Sequence, residues 1–312
     1  MTPTLPTPAH PLRIGTRGSP LALWQAHEVR RCLMAAHDLP EEAFSIAVIK
    51  VTGDQVLDRP LKEIGGKGLF TREIEEALLD GGIDIAVHSM KDMPTLQPEG
   101  LVLDCYLARA DVRDGFVSPG FAGIADLPQG AKVGSSSLRR RAQLKLRRPD
   151  LELVEFRGNV QTRMRKLEEG VAHATFLAMA GLTRLGMAEV AQSAIDPAEM
   201  LPAVAQGAIG IERRSADTRT AALLEAVHDV PTGQRLAAER QFLATLDGSC
   251  ETPIAGLAVL EGGDLWLRGE ILRPDGSRAL AGELRGPVAD GPGLGEALAR
   301  DLLAQAGPGF FD

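Results

Sequence analysis

A chain of 312 residues is longer than one ordinary hydrophobic core supports, so its length predicts two or three domains. Its composition, 44% hydrophobic and 24% charged, is that of a globular protein and excludes the disordered and fibrous classes. The formal net charge of −8 is mildly acidic. One tyrosine and two tryptophans argue against an aromatic platform for nucleic-acid bases.

Neither a membrane segment nor a targeting segment is expected. No stretch approaches the roughly 18 apolar residues that can span a bilayer. Residues 1–11 contain four prolines and no apolar core, which is unlike a secretory signal peptide. We therefore expect a cytoplasmic protein.

The three cysteines are an odd number and lie far apart, which predicts neither a disulfide framework nor a zinc site. Cys32 and Cys105 fall in apolar settings typical of a core. Cys250 falls in a loop of small residues between a predicted helix and a predicted strand, where a reagent could reach it. A cysteine nucleophile would need a histidine base, and none is near in sequence, whereas a covalent anchor needs the thiol to react only once.

The first half of the chain alternates strand and helix patterns. Ser19 is a good N-cap and Pro20 a good first helical residue, which predicts a helix over 20–36. The other predicted elements are strands at 12–16, 44–51, 83–87, 131–133, 151–156 and 174–178, and helices at 69–79, 136–147 and 160–167. Such alternation predicts α/β domains with mostly parallel sheets, and the charged stretch 109–116 suggests a hinge between two blocks.

The C-terminal part has a different pattern of predicted elements. Predicted strands at 254–259, 265–272 and 279–284 lie between helices at 233–246 and 294–306, which indicates a small α+β domain. The small residues of 203–208 could return the chain to the first sheet. The predicted domains are therefore 11–108 with 201–225, 114–200, and 228–312.

A basic island stands out in this acidic chain. Residues 134–166 contain ten basic and three acidic side chains, a net charge of +7. Most charge runs are solvated helix faces, and that interpretation stays open. The alternative is an anion site, and a third hypothesis is nucleic-acid binding through the 139–148 helix, which predicts a steep salt dependence.

Three strand-to-helix turns favour the anion site. The turns at 16–19, 135–140 and 157–163 each combine arginine with small polar residues. Free backbone N–H groups and the helix dipole favour anions at such helix starts, and guanidinium groups suit carboxylates. The carboxyl ends of strands in α/β sheets are also where ligands bind. We therefore expect a small polycarboxylate in an arginine-lined cleft between two α/β domains.

One acidic residue stands among these basic groups. Asp92 follows a buried strand with Lys91 beside it, in the run Val-His-Ser-Met-Lys-Asp at 87–92. An aspartate in this position is commonly a turn residue or a helix cap. In a basic cleft it could instead stabilise a cation formed during a reaction.

These motifs together resemble the porphobilinogen deaminase (hydroxymethylbilane synthase) family. The matching stretches occur in family order at 13–22, 65–70, 84–92, 136–140, 177–186, 206–208 and 248–250. The resemblance implies an α/β fold with two domains like type II periplasmic binding proteins and a small α+β C-terminal domain. The chain departs from the family pattern at Glu63, where a basic residue is frequent, and at Ser249, where glycine is common.

The resemblance also implies the activity. Four porphobilinogen molecules would be joined head to tail, with loss of ammonia, on a dipyrromethane cofactor held by a thioether to Cys250, and water would then release hydroxymethylbilane. Asp92 would be the catalytic carboxylate, and Lys67 and Phe70 would belong to a mobile loop over the site. The residues expected to bind cofactor and substrate carboxylates are Arg17, Ser19, Lys91, Ser136, Ser137, Arg139, Arg140, Arg157, Arg163 and Arg184.

The expected partner is the small substrate porphobilinogen, with no nucleic acid, membrane or metal, in a monomer. The competing hypothesis is a non-catalytic anion-binding protein with the same two-domain cleft. Such a protein would need neither Asp92 nor Cys250, so these two residues discriminate between the hypotheses.

Overall fold

The structure is a computed structural model, and it describes residues 4–52, 71–248 and 252–311. The strands are β1 Leu12–Arg17, β2 Phe44–Ile49, β3 Ile85–Ser89, β4 Leu101–Tyr106, β5 Asp114–Val117, β6 Lys132–Gly134, β7 Glu152–Val154, β8 Ala174–Ala178, β9 Ser193–Ala194, β10 Ile209–Arg214, β11 Ile254–Glu261, β12 Asp264–Leu272 and β13 Ala279–Pro287. The α-helices are α1 Pro20–His37, α2 Arg72–Leu79, α3 Leu138–Arg147, α4 Val160–Glu168, α5 Met179–Arg184, α6 Thr218–Glu225, α7 Val230–Thr245 and α8 Gly291–Ala306.

The chain divides into two compact units. One consists of Met1–Arg109 and Ala208–Gly233, and the other of Ala110–Gly207 and Gln234–Asp312. The second unit contains two separate sheets, so we retain the division into three domains as a proposal. The chain crosses between the units three times, after Arg109, Gly207 and Gly233, and β10 joins the first sheet only after the second crossing.

The sheet of the first unit has the strand order β2-β1-β3-β10-β4. β1, β2 and β3 pair in parallel, whereas β10 pairs antiparallel with both β3 and β4. Apolar side chains of the sheet, including Ile14 and Ile85, meet those of α1, including Val29 and Leu33, in one buried core. The return of the chain to this sheet after the 203–208 run is confirmed by β10.

Helix α1 shows how local sequence sets the boundaries. The Ser19 hydroxyl accepts a hydrogen bond from the backbone N–H of Ala22, and Pro20 occupies the first turn. The helix ends where Asp38 adopts a left-handed conformation and its N–H bonds to the carbonyl of Met34. At 18 residues α1 is longer than any other helix described, and no helix in the described ranges is both long and apolar enough to cross a bilayer.

The second α/β sheet repeats the arrangement of the first. Its strand order is β7-β6-β8-β5-β9, again with three parallel strands followed by an antiparallel one. The antiparallel strand is β5, which directly follows a crossing between the units, as β10 does in the other sheet. The predicted hinge at 109–116 is therefore partly wrong, since Asp114–Val117 is a fully buried strand.

The sheets are thus mixed, whereas the sequence predicted mostly parallel ones. Apolar periodicity identifies a strand but does not encode its direction, and here the crossings between units set the direction of β5 and β10. The predicted fold class is nevertheless confirmed by the two α/β sheets of equal topology and the α+β region that follows.

The C-terminal region is an antiparallel meander, β11-β12-β13, with α7 and α8 packed on it. The ring of Phe242, on α7, is fully buried. It lies so close to Gly269 that an added Cβ would come within 2.5 Å of the ring. Glycine at this position therefore allows the helix to approach the sheet.

Candidate functional site

In the first unit, a pocket of about 80 Å³ opens at the carboxyl ends of β1 and β3. The sequence-predicted residues Arg17, Ser19 and Asp92 all line it. Arg17 is the last residue of β1, Ser19 caps α1, and Asp92 lies in the 3-10 turn Met90–Asp92 that follows β3. The structure therefore brings together one guanidinium group, one hydroxyl group and the candidate catalytic carboxylate.

The turn after β3 is held at its first residue, Met90, and this leaves Asp92 exposed at its last residue. Met90 is buried, and its N–H bonds to the carbonyl of Ala208 at 3.1 Å. The N–H of Met93 closes the turn on the carbonyl of Met90. Lys91 is half-buried in the same turn, and Asp92 is exposed at the pocket.

Four further polar side chains line this pocket and were not predicted from the sequence: Gln25, Thr71, His88 and Ser89. Gln25 and Ser89 exchange hydrogen bonds at 2.8 and 3.2 Å, which ties α1 to the end of β3. His88 is 6% exposed. The sequence did contain a signal for His88 and Ser89, because they are polar residues at the end of an otherwise apolar strand.

In the second unit, the turn between β6 and α3 carries two expected serines. The Ser136 hydroxyl accepts a hydrogen bond from the N–H of Phe156, and the Ser137 hydroxyl accepts one from the N–H of Arg140, capping α3. A hydroxyl that accepts one hydrogen bond still has its own proton to donate. Ser136 and Ser137, like Ser19, therefore keep a donor that a ligand carboxylate can use.

Arg139 and Arg140 are placed differently from the sequence expectation. They are 4% and 5% exposed, and both bind the fully buried carboxylate of Asp114, on β5. The Arg140 guanidinium also donates to the carbonyl of Phe176 at 2.7 Å. These two arginines thus join α3 to the sheet, because a buried aspartate that the sequence analysis overlooked requires counter-charge.

The Asp114 cluster extends to the segment before the second crossing. The Gln206 amide donates to the Asp114 carboxylate at 3.0 Å, and Arg139 donates to the carbonyl of Leu201 at 3.0 Å. Burial by itself would raise the pKa of Asp114, but the charges of Arg139 and Arg140 outweigh it and hold the pKa well below its usual range. Asp114 is therefore an ionised hub of the second unit.

The remaining expected binders also lie in the second unit. The Asn159 side chain caps α4 by accepting the N–H of Thr162, and Arg163 donates to the carbonyl of Gly158 at 2.9 Å. Arg157 lies half-buried in the preceding turn. Arg184, the last residue of α5, donates to the carbonyl of Gly207 at 2.7 Å.

Much of the basic island is engaged by partners within the second unit. Lys145 donates to the carbonyls of Pro149 and Leu151, Arg148 pairs with Asp150, and Arg147 donates to a carbonyl one turn back. With Arg139 and Arg140 buried as well, α3 does not present a continuous basic face. This arrangement disfavours the nucleic-acid hypothesis.

Comparison with known proteins gives the family. The family model for the porphobilinogen deaminase dipyromethane cofactor binding domain matches residues 12–222, and the model for the porphobilinogen deaminase C-terminal domain matches residues 234–304. The chain belongs to the porphobilinogen deaminase family. A relative, porphobilinogen deaminase of Paracoccus denitrificans, is 70% identical over 308 residues, covering 99% of this chain and 98% of that protein. The predicted family and enzyme class are confirmed.

Solved structures of lower similarity were also found. One is a periplasmic substrate-binding protein of an ABC transporter from Coxiella burnetii, with 17% identity, a TM-score of 0.42, and coverage of 73% of this chain and 96% of that one. Another is a lipoprotein from Enterococcus faecalis, with 13% identity, a TM-score of 0.41, and coverage of 71% and 92%.

The residues of the second unit fit a dipyrromethane with carboxylate side chains. The Nε–H of Arg139 is buried and has no hydrogen-bond partner among the described residues, and it lies in the helix that Ser137 caps. An unpaired buried guanidinium donor and two serine hydroxyls suit a carboxylate ligand. Cys250, the expected attachment point, and Lys67 and Phe70, the expected loop residues, lie outside the described residues.

The Asp114 cluster predicts a pH-dependent stability. Because the pKa of Asp114 is depressed in the folded state, its contribution is present above the unfolded pKa of about 4 and is lost as the pH falls further. Asp114→Asn should lower the free energy of unfolding at pH 7 by about 3–5 kcal/mol, since two buried cations lose their counter-charge. The gap to wild type should narrow below about pH 4.

Denaturant unfolding followed by circular dichroism at pH 7 and at lower pH measures both effects. Asp150→Asn is the matched control, because it removes the exposed partner of Arg148 and should leave the midpoint nearly unchanged. Equal stability of Asp114→Asn and wild type at pH 7 would contradict the assignment of Asp114 as the hub.

Proposed function

We propose that this chain joins four porphobilinogen molecules head to tail, with loss of ammonia, and releases hydroxymethylbilane by hydrolysis. The observation that carries the proposal is the first-unit pocket, where Asp92 shares the lining with Arg17 and Ser19. Family membership supports the same activity, which belongs to tetrapyrrole biosynthesis. A non-catalytic anion-binding protein would have no use for a carboxylate at this position.

Asp92 would act on the substrate cation. The C–N bond of the protonated aminomethyl group breaks, its electron pair leaves with ammonia, and the remaining positive charge is shared with the pyrrole nitrogen. An aspartate carboxylate at the pocket can stabilise this cation through charge and a hydrogen bond to the pyrrole N–H. Asp92 can then accept the proton that is lost from the pyrrole carbon forming the new bond.

The carboxylates of the substrate need fixed partners that carry positive charge or donate hydrogen bonds. In the first unit, we assign this role to Arg17, Ser19 and Lys91. In the second unit, we assign it to Ser136, Ser137, Arg157, Arg163 and Arg184, with Arg139 contributing its unpaired Nε–H. Arg140 donates to Asp114 and to the carbonyl of Phe176, so we assign it to holding α3 and its serine cap in place. Each charge-assisted contact contributes about 1.5–3 kcal/mol, so several offset the cost of desolvating one dicarboxylate.

The dipyrromethane, when bound, supplies the free pyrrole carbon to which the first substrate is joined. We assign its thioether to Cys250, and the other two cysteines support this by contrast. Burial raises the pKa of the Cys105 thiol to about 12, and burial and Glu28 raise that of Cys32. Neither of these thiols forms a thiolate readily at neutral pH.

Intact-mass measurement of the purified protein should show a covalent adduct of two pyrrole rings. Cys250→Ser should remove the adduct, whereas Cys105→Ser should retain it because Cys105 is buried in the core. An unmodified wild-type protein that still turns over would contradict the cofactor assignment.

Asp92→Asn should retain both fold and adduct while kcat falls by about 10²–10⁴-fold, because the amide neither balances the cation nor accepts a proton. Turnover of porphobilinogen by adduct-bearing protein is the measurement. Asp104→Asn, at an exposed position on β4, is the control. Wild-type kcat in Asp92→Asn would remove Asp92 from the chemistry.

We further propose that the enzyme acts in the cytoplasm as a monomer. Light scattering coupled to size-exclusion chromatography should then give a mass near 33.2 kDa, increased only by the adduct. A mass twice as large at the working concentration would contradict the monomer and indicate a dimer.

A further inference from the structure

A buried histidine–glutamate pair lies directly behind the first-unit pocket. Nε2 of His88, on β3, is 3.0 Å from Oε2 of Glu212, on β10. The side chains are 5% and 0% exposed. His88 lines the pocket together with Arg17 and Asp92, so its ring connects the buried carboxylate with the place where Asp92 is presented.

The strand register explains how this pair forms. His88 lies opposite Gly210, and Glu212 lies opposite Ala86, so the two side chains meet diagonally across adjacent antiparallel strands. A Cβ at position 210 would come within 2.1 Å of Met90 Sδ. The glycine opposite His88 is therefore required by the anchored turn that carries Asp92.

The other oxygen of Glu212 indicates that this carboxylate has more than a packing role. Its Oε1 is buried and has no hydrogen-bond partner among the described residues. A buried carboxylate with one unsatisfied oxygen is costly, and an apolar side chain would fill the same space without that cost. Such exceptions are characteristic of functional sites.

The pair also determines which ring nitrogen can act. Because a carboxylate oxygen accepts hydrogen bonds, we assign the proton between His88 and Glu212 to Nε2 of the ring. The nitrogen with which His88 can exchange a proton in the pocket is then Nδ1. This arrangement, an imidazole oriented by a buried carboxylate, suits a general acid–base group.

The reaction proposed above requires such a group. Asp92 must begin each of four condensations as a carboxylate, yet it takes up a proton at the end of each one. That proton has to leave before the next substrate cation forms. The departing ammonia is its final acceptor, since each condensation breaks one C–N and one C–H bond, forms one C–C bond and releases ammonium.

We propose that His88 and Glu212 are a proton-transferring pair of this pocket. Glu212 orients the imidazole ring, and Nδ1 of His88 takes the proton from Asp92 and delivers it to ammonia. This inference rests on the proposed function and deepens it. Glu212 is a positioning residue, because it acts only through His88.

The charges around His88 come from four elements. Glu212 faces it from β10, and Glu75 interacts with it from α2. Arg17 from β1 and Asp92 from the following turn line the same pocket, while α1 contributes the uncharged Gln25. Burial raises the pKa of Glu75, whose carboxyl group hydrogen-bonds to Thr71, whereas the Glu212 carboxylate contacts the His88 ring directly.

The test compares Glu212→Gln with Glu75→Gln in adduct-bearing holoenzyme. Glu212→Gln should lower kcat about 10–100-fold with KM changed less than about twofold. The acidic limb of its kcat profile should move to lower pH, because a neutral amide no longer favours the protonated ring. Glu75→Gln is the control, because Glu75 acts on His88 only through space, and it should leave both kcat and its pH profile near wild type.

Histidine-labelled protein gives a readout that does not depend on turnover. The chain has six histidines, and His88→Gln identifies the His88 signal in an NMR titration. That signal should titrate at lower pH in Glu212→Gln than in wild type, and it should remain in place in Glu75→Gln. His88→Gln itself should retain adduct and KM but lose the acidic limb of the kcat profile.

An unmoved His88 titration in Glu212→Gln, or an equal shift in Glu75→Gln, would overturn the inference. If Glu212→Gln does not fold, an acidic limb that persists in folded His88→Gln would overturn it equally. A wild-type protein without adduct or turnover would refute the proposed function instead, and the NMR titration would still report on the pair.

Discussion

The second unit depends on the ion pairs that the buried carboxylate of Asp114 forms with Arg139 and Arg140. Asp114 lies on the strand that follows the first crossing, and it binds arginines from α3 and an amide from the segment before the second crossing. Gln143 continues the network by donating to the Leu201 carbonyl and to Glu270 of the C-terminal sheet. One ionised side chain thereby fixes the start of α3, where Ser136 and Ser137 present their hydroxyls, and Gln143 links the same helix to β12 of the C-terminal sheet.

Serine and asparagine caps perform two tasks in this fold. At Ser19, Ser137 and Asn159 the side-chain oxygen satisfies a backbone N–H that the first helical turn leaves open. Each cap also fixes the loop that follows a strand, so the neighbouring side chains hold a defined position. Stability and ligand binding therefore place the same demand on these turns, and a substitution there affects both.

Local features were predictable from the sequence, and distant pairings were not. The start of α1 followed from Ser19 and Pro20, and β8 was predicted with its observed limits, because both depend on neighbouring residues. The partnership of Arg139 with Asp114 spans 25 residues, and that of His88 with Glu212 spans 124. No periodicity encodes such separations. The direction of β5 and β10 was missed for the same reason, since the route of the chain between sheets determines it.

The interleaved strand order has a consequence for synthesis on the ribosome. All strands of the second α/β sheet lie between Asp114 and Ala194, so this sheet has its full set of strands as soon as that stretch has emerged. The first sheet lacks its β10 strand until Arg214 has followed. Until then, β3 and β4 have no partner along the edges that β10 later joins, and Glu212 has not yet reached His88. The nascent chain thus completes its later sheet before its earlier one.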